Sequence, residues 1–179
     1  MNICTYFLQA KDERAAIMRT PELGIPVLIF DAMRQHAKVA DVQNRACRAL
    51  FHLSYKNDAA RAILLSTNIE YKKITQAHPV LKEIMVVSGS LELVANALFE
   101  FPNQLDVQRS ACGVLWNLTH NTEQPLLLAA FERSHVNNNN GNQTPVQALI
   151  LAMNRNMNNV TVLQYACGTI LQLSGTRKK

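Results

Sequence analysis

Amide, imidazole and guanidinium side chains recur at matched places in this chain, and they are the residues with chemistry to offer. The first set is Asn44, Arg48, His52 and Tyr55. The second is Arg109, Gly113, Asn117 and His120, and the third is Gln164, Gly168, Gln172 and Gly175. Within each set the spacing is three or four residues, which lines the members up on one face of a helix. Side-chain amides both donate and accept hydrogen bonds, so a row of them can satisfy the unpaired backbone of an extended peptide. Arg48 and Arg109 bias such binding toward acidic or neutral segments.

The helix that must carry each set is one segment written three times: VQNRACRALFHLS from Val42, VQRSACGVLWNLT from Val107 and VLQYACGTILQLS from Val162. Val42, Ala46, Ala49, Leu50 and Leu53, with their counterparts, form its apolar stripe. Cys47, Phe51 and Ser54 form a second face, expected to meet a neighbouring copy. A unit that cannot bury its own apolar face must stack on others, so a solenoid is expected. Trp116 is read as core rather than as a ligand platform. Glycine at 113 and 168 costs about 1 kcal/mol each in a helix interior, which calls for close approach or tight packing there.

Upstream of each copy lies a second apolar helix, at 25–33, 91–98 and 145–153, and before it a shorter one, at 12–19, 79–87 and 123–133. Pro26 and Pro145 suit helix starts. Successive copies are 65 and 55 residues apart. Helical repeats of this kind have periods of about 40–47 residues, so insertions are expected near 66–78 and 134–144. The second holds four consecutive asparagines before Gly141 and reads as a mobile loop.

This three-helix unit resembles the armadillo repeat, and Ala111-Cys-Gly-Val-Leu-Trp-Asn-Leu-Thr119 looks like its long third helix. The resemblance covers nearly the whole chain. It implies an all-α fold, a right-handed α-solenoid of armadillo-like three-helix repeats. One domain over 1–179 is expected, with repeats at approximately 11–56, 57–120 and 121–175. In armadillo proteins the asparagine matching Asn117 binds the backbone of an extended peptide. Members that bind nuclear-localisation signals add a tryptophan one turn earlier. This chain has Arg48, Gly113 and Gly168 there, which argues against that ligand.

Composition narrows the setting. The 179 residues carry a net charge of +5, with pI near 9.2. The only basic run is Arg177-Lys178-Lys179, read as a solvated end. No apolar stretch reaches the roughly 18 residues of a membrane span, and residues 1–14 lack the pattern of a signal peptide. The sequons at Asn117, Asn142 and Asn159 are therefore expected to be unmodified. Equivalent helices in a stack lie about 8–10 Å apart, too far for a disulfide, which needs Cα atoms within roughly 7 Å. Cys47, Cys112 and Cys167 are thus expected to be small buried residues in a reducing compartment. Cytoplasmic localisation follows, with the nucleus as the other option.

No phosphate-binding glycine loop, zinc spacing or nucleophile elbow occurs, and no two of the five histidines lie three to five residues apart. No catalytic residue, cofactor or metal is expected. The sequence points to a non-catalytic scaffold that binds an extended peptide or partner helix in a concave groove of third helices. Charge at Asn117 should then abolish partner capture without unfolding the domain. Two alternatives stay open. One is a helical-repeat binder of single-stranded RNA, favoured by net charge but short of aromatic–basic pairs. The other is a self-associating solenoid or a piece of a longer array, with a homodimer or end-to-end contact through Leu163, Cys167 and Leu171.

Overall fold

The structure, a computed structural model, describes residues 25–56, 89–120, 130–132, 134–138 and 141–175. The expected helices at 12–19 and 79–87, the insertion at 66–78, Cys4 and the basic terminus lie outside these residues. Of the expected helix at 123–133, residues 130–132 are described and helical.

Among the described residues, six helices form three pairs: α1 (Ile25–Gln35) with α2 (Ala40–Ser54), α3 (Ser90–Glu100) with α4 (Leu105–Thr119), and α5 (Pro145–Arg155) with α6 (Val160–Leu173). The two helices of each pair are joined by the same short turn. Val39 N–H donates to His36 O at 3.0 Å, Gln104 to Phe101 at 3.1 Å and Asn159 to Asn156 at 2.8 Å. Sequence spacing is conserved in these turns, so the local chemistry repeats as the segment does.

Helix ends are secured in several ways. Asp41 and Asp106 lie in the first turns of α2 and α4, where negative charge suits the helix dipole. Asn159 accepts from Val162 N–H at 3.0 Å. Thr144 and Gln147 form a reciprocal capping box, with Pro145 in the first helical position.

Helix α4 lies between α2 and α6 and packs along both, while α3 contacts α1 and α5. Fully buried Phe30, Met33, Leu50, Leu115, Leu118 and Leu149 fill the space between the two rows. Each such side chain contributes about 1.5–3 kcal/mol through burial. The junction of each of the first two pairs holds a buried glutamine. Gln43 Nε2 donates to Met33 O at 2.9 Å and His36 O at 3.1 Å. Gln108 repeats this with Leu98 O at 2.9 Å and Phe101 O at 3.0 Å. These amides reach the last-turn carbonyls of Met33 and Leu98 and add a second donor to His36 O and Phe101 O, which also accept from the turn. The third pair has Leu163 in that place, and Asn156 Nδ2 donates to Ala152 O at 2.8 Å instead.

Two expectations are corrected here. The asparagine tract is not wholly a loop: β1 (Val136–Asn138) pairs antiparallel with β2 (Gly141–Gln143), Val136 opposite Gln143. Val136 is buried and its strand touches α3, which anchors one end. Gly141, at φ 94°, supplies a left-handed backbone at the other. The described residues are therefore helical apart from this small hairpin.

The second correction concerns the cysteines. Cys47, Cys112 and Cys167 are free thiols, and Cys167 is exposed while the other two are buried. Its helix is the last of the three, and no fourth described helix covers that side. Burial pushes the Cys47 thiol up to about 12, with Cys112 nearby adding to the effect, and burial does the same at Cys112. Both stay protonated and inert at neutral pH.

In a Cys4→Ser background, native protein should therefore release one fast-reacting thiol to a disulfide reagent, with two more appearing on unfolding. Their raised folded values also set a pH dependence. The stability they contribute is full below pH 9 and falls as pH rises toward 12, because the unfolded chain sheds these protons first. Three equally fast thiols in the native protein would contradict the packing.

Candidate functional site

The adjoining helices α2, α4 and α6 carry the expected site residues, but not all of them reach the surface. Arg48, Tyr55, Arg109, His120 and Gln164 are exposed. His52, Gln172 and Asn44 are half-buried. Asn44 is engaged internally, its Oδ1 accepting from Ser110 Oγ at 2.8 Å across the α2–α4 junction.

Asn117 is a correction. It is only 5% exposed. Its Nδ2 donates to Phe51 O at 2.9 Å and approaches Ser54 Oγ at 3.4 Å. Phe51 O lies in the last turn of α2 and also accepts from Tyr55 N–H at 3.0 Å and Ser54 Oγ at 3.1 Å. The amide therefore joins one pair of helices to the next and is not offered to a ligand.

Gly113 and Gly168 are also corrected as groove-lining positions. Gly113 is buried. A Cβ there would lie 2.9 Å from Phe51 Cδ2 and 3.2 Å from Tyr165 Cε2. Rings from α2 and α6 thus meet above α4, with centroids 6.0 Å apart. At Gly168 a Cβ would fall 2.0 Å from Trp116 Cζ3, so the indole occupies the space that a side chain would take. Each glycine is a pit, and an aromatic ring from the preceding helix fills it.

The result is an aromatic strip that reading the chain by polar rows missed. Phe51 stacks on Tyr55 at 6.2 Å and meets His52 edge-on at 5.4 Å, while Trp116 leans on His120 at 5.8 Å. Lys56 Nζ stands 5.3 Å from the Tyr55 ring centroid. Trp116 and Tyr165 are half-buried rather than core. A signal was present: an aromatic at 51 and again at 116, each followed one unit later by a glycine three residues before its counterpart.

The chemistry on offer is recognition. The rings are held in place by packing, so they present apolar edges at little entropic cost on binding. Arg48 is exposed one helical turn before Phe51 on α2, and Arg109 makes a long, exposed contact with Asp106 at 3.9 Å. Such a pair is weak, and it leaves the guanidinium able to reach a carboxylate. Among the described residues no group of three or more histidine, cysteine or acidic side chains could hold a metal ion. No helix among them is long and apolar enough to cross a membrane. Compared with family models, with curated proteins and with solved structures, the chain gives no match.

Proposed function

We propose that this chain is a non-catalytic protein–protein interaction module of armadillo type, which holds an acidic or neutral peptide segment across the outer side of α2, α4 and α6. The observation that carries the reading is the aromatic strip, with exposed Arg48 one helical turn before Phe51 on α2 and exposed Arg109 two turns before Trp116 on α4. It combines seated rings for apolar side chains with guanidinium groups for carboxylates. Backbone recognition by a row of amides is no part of this reading, since Asn117 is used within the fold. Free thiols are in keeping with a reducing compartment, the cytoplasm or nucleus.

The test is an array of acidic, neutral and basic peptides read against wild type and the Arg48→Glu/Arg109→Glu variant. Acidic peptides should bind best, and the double reversal should weaken them about tenfold or more. Both positions are exposed, so the melting temperature should hold. Equal binding by the variant would sink the assignment. Preference for single-stranded RNA over every peptide would transfer the strip to base stacking.

A further inference from the structure

Two rings of the aromatic strip carry hydrogen-bond donors that the fold does not use. Trp116 and Tyr165 are half-buried, and among the described residues neither the indole N–H nor the phenol O–H has a partner. The packing that seats each ring also sets where its polar atom lies. The Gly168 pit takes Cζ3, Cε3 and Cη2 of the indole, so Nε1 belongs to the opposite edge of the bicycle. Tyr165 meets the Gly113 pit through Cε2, the carbon next to the one that bears the hydroxyl, and its ring meets Phe51 at 6.0 Å. Other polar groups of these helices are committed. Asn44 is held by Ser110, and Asn117 reaches Phe51 O. Ser54, Thr119 and Thr169 donate to carbonyls of their own helices.

An indole N–H can only donate, as can a guanidinium, and a phenol can donate as well. The strip therefore calls for acceptors. An acidic peptide brings two kinds, its carboxylates and the main-chain carbonyls that a lone extended segment leaves unpaired. The exposed guanidinium groups suit the carboxylates, which gain charge-assisted hydrogen bonds there. A carboxylate set against neutral donors in a half-buried place would give up hydration without a countercharge. A neutral carbonyl gives up less. Both rings are also fixed by packing before any peptide arrives, so little freedom is lost when they bind.

We infer that Trp116 and Tyr165 hold the main chain of the bound peptide. The indole N–H and the phenol O–H each donate to a peptide carbonyl, while Arg48 and Arg109 pair with its carboxylates. This rests on the peptide reading proposed above and adds the groups that grip the ligand whatever its side chains. They take the part that Asn117, spent on Phe51 O, does not play.

Calorimetry with the tightest acidic peptide from the array tests this. Tyr165→Phe keeps the ring at Gly113 and removes only the hydroxyl. Trp116→Phe keeps a ring and removes the N–H. Each should weaken binding about 3–10-fold, the worth of one hydrogen bond. Tyr165→Phe should melt as wild type does. Trp116→Phe also shrinks the group in its pit, so the peptide is altered too, one amide at a time replaced by an ester with a weaker carbonyl acceptor. At one position the ester should weaken wild type about 3–10-fold and add nothing to Tyr165→Phe; at a second it should add nothing to Trp116→Phe. Both variants binding the unmodified peptide as tightly as wild type would reduce the rings to apolar contacts and overturn the inference, with the peptide site intact. Ester losses of equal size in wild type and in both variants overturn it as well. A wild type that binds no acidic peptide removes the underlying reading, and this inference with it.

Discussion

Asn117→Asp is expected to cost the fold about 3–5 kcal/mol at neutral pH, the range for a buried charge left without its partner. The substitution removes the donor that reaches Phe51 O at 2.9 Å and sets a carboxylate oxygen against that carbonyl. Only 5% of Asn117 is exposed, so solvent offers little relief. Against a total stability of about 5–15 kcal/mol for an ordinary domain, this is a large fraction. Asn117→Ala loses one hydrogen bond and adds no charge, while Phe51 O keeps Tyr55 N–H and Ser54 Oγ as donors, so it should cost about 0.5–1.5 kcal/mol.

The two variants differ further in pH dependence. Burial raises the folded value of the new carboxyl above its unfolded value of about 3.9. Between those two values the folded state binds more protons, so stability falls as pH rises through that window. The penalty of Asn117→Asp should thus shrink as pH drops from 7 toward 4, while that of Asn117→Ala stays level. Denaturant titrations at several pH values, each referenced to wild type, decide it. An Asn117→Asp variant as stable as wild type at pH 7 would return the residue to the surface.

Gly168→Ala should be the second large effect, and it contradicts helix propensity. Alanine favours a helix interior over glycine by about 1 kcal/mol. Here the added methyl would sit 2.0, 2.4 and 2.7 Å from three atoms of the Trp116 ring. Overpacking of this kind costs about 1–3 kcal/mol, and the contact lies at the severe end. A net loss of about 1–2 kcal/mol remains after the propensity gain.

Gly113→Ala should be milder, because its closest contacts are ring edges at 2.9 to 3.2 Å. Pairing Gly168→Ala with Trp116→Leu should recover about 1 kcal/mol or more relative to the sum of the single changes, as expected for residues in contact. Additive losses, or a stabilised Gly168→Ala, would mean that the indole does not occupy the glycine pit.

Much of the helical skeleton could be read from the chain. The second helices expected at 25–33, 91–98 and 145–153 run as Ile25–Gln35, Ser90–Glu100 and Pro145–Arg155. Apolar periodicity decides such elements because a helix must bury one stripe. The contact between copies through Cys47, Phe51 and Ser54 was also legible from the wheel. What failed was the inference that a polar row faces solvent. Asn117 is polar and buried because its amide is spent across the α2–α4 junction, on Phe51 O. Composition cannot distinguish that use of an amide from ligand binding. The same holds for Cys167, whose column reads as buried but whose helix is the last described in the row.

The sequence by itself determined that three copies of one amphipathic helix recur, each with a partner helix, because period and residue type suffice to define local structure and an apolar stripe. Only the tertiary structure decided which polar groups remained for a partner. That choice depends on what each neighbouring helix does to its carbonyls and glycine pits. The rings of Phe51 and Trp116 reach Gly113 and Gly168 across gaps of 62 and 52 residues, and no local pattern specifies a contact that long in sequence.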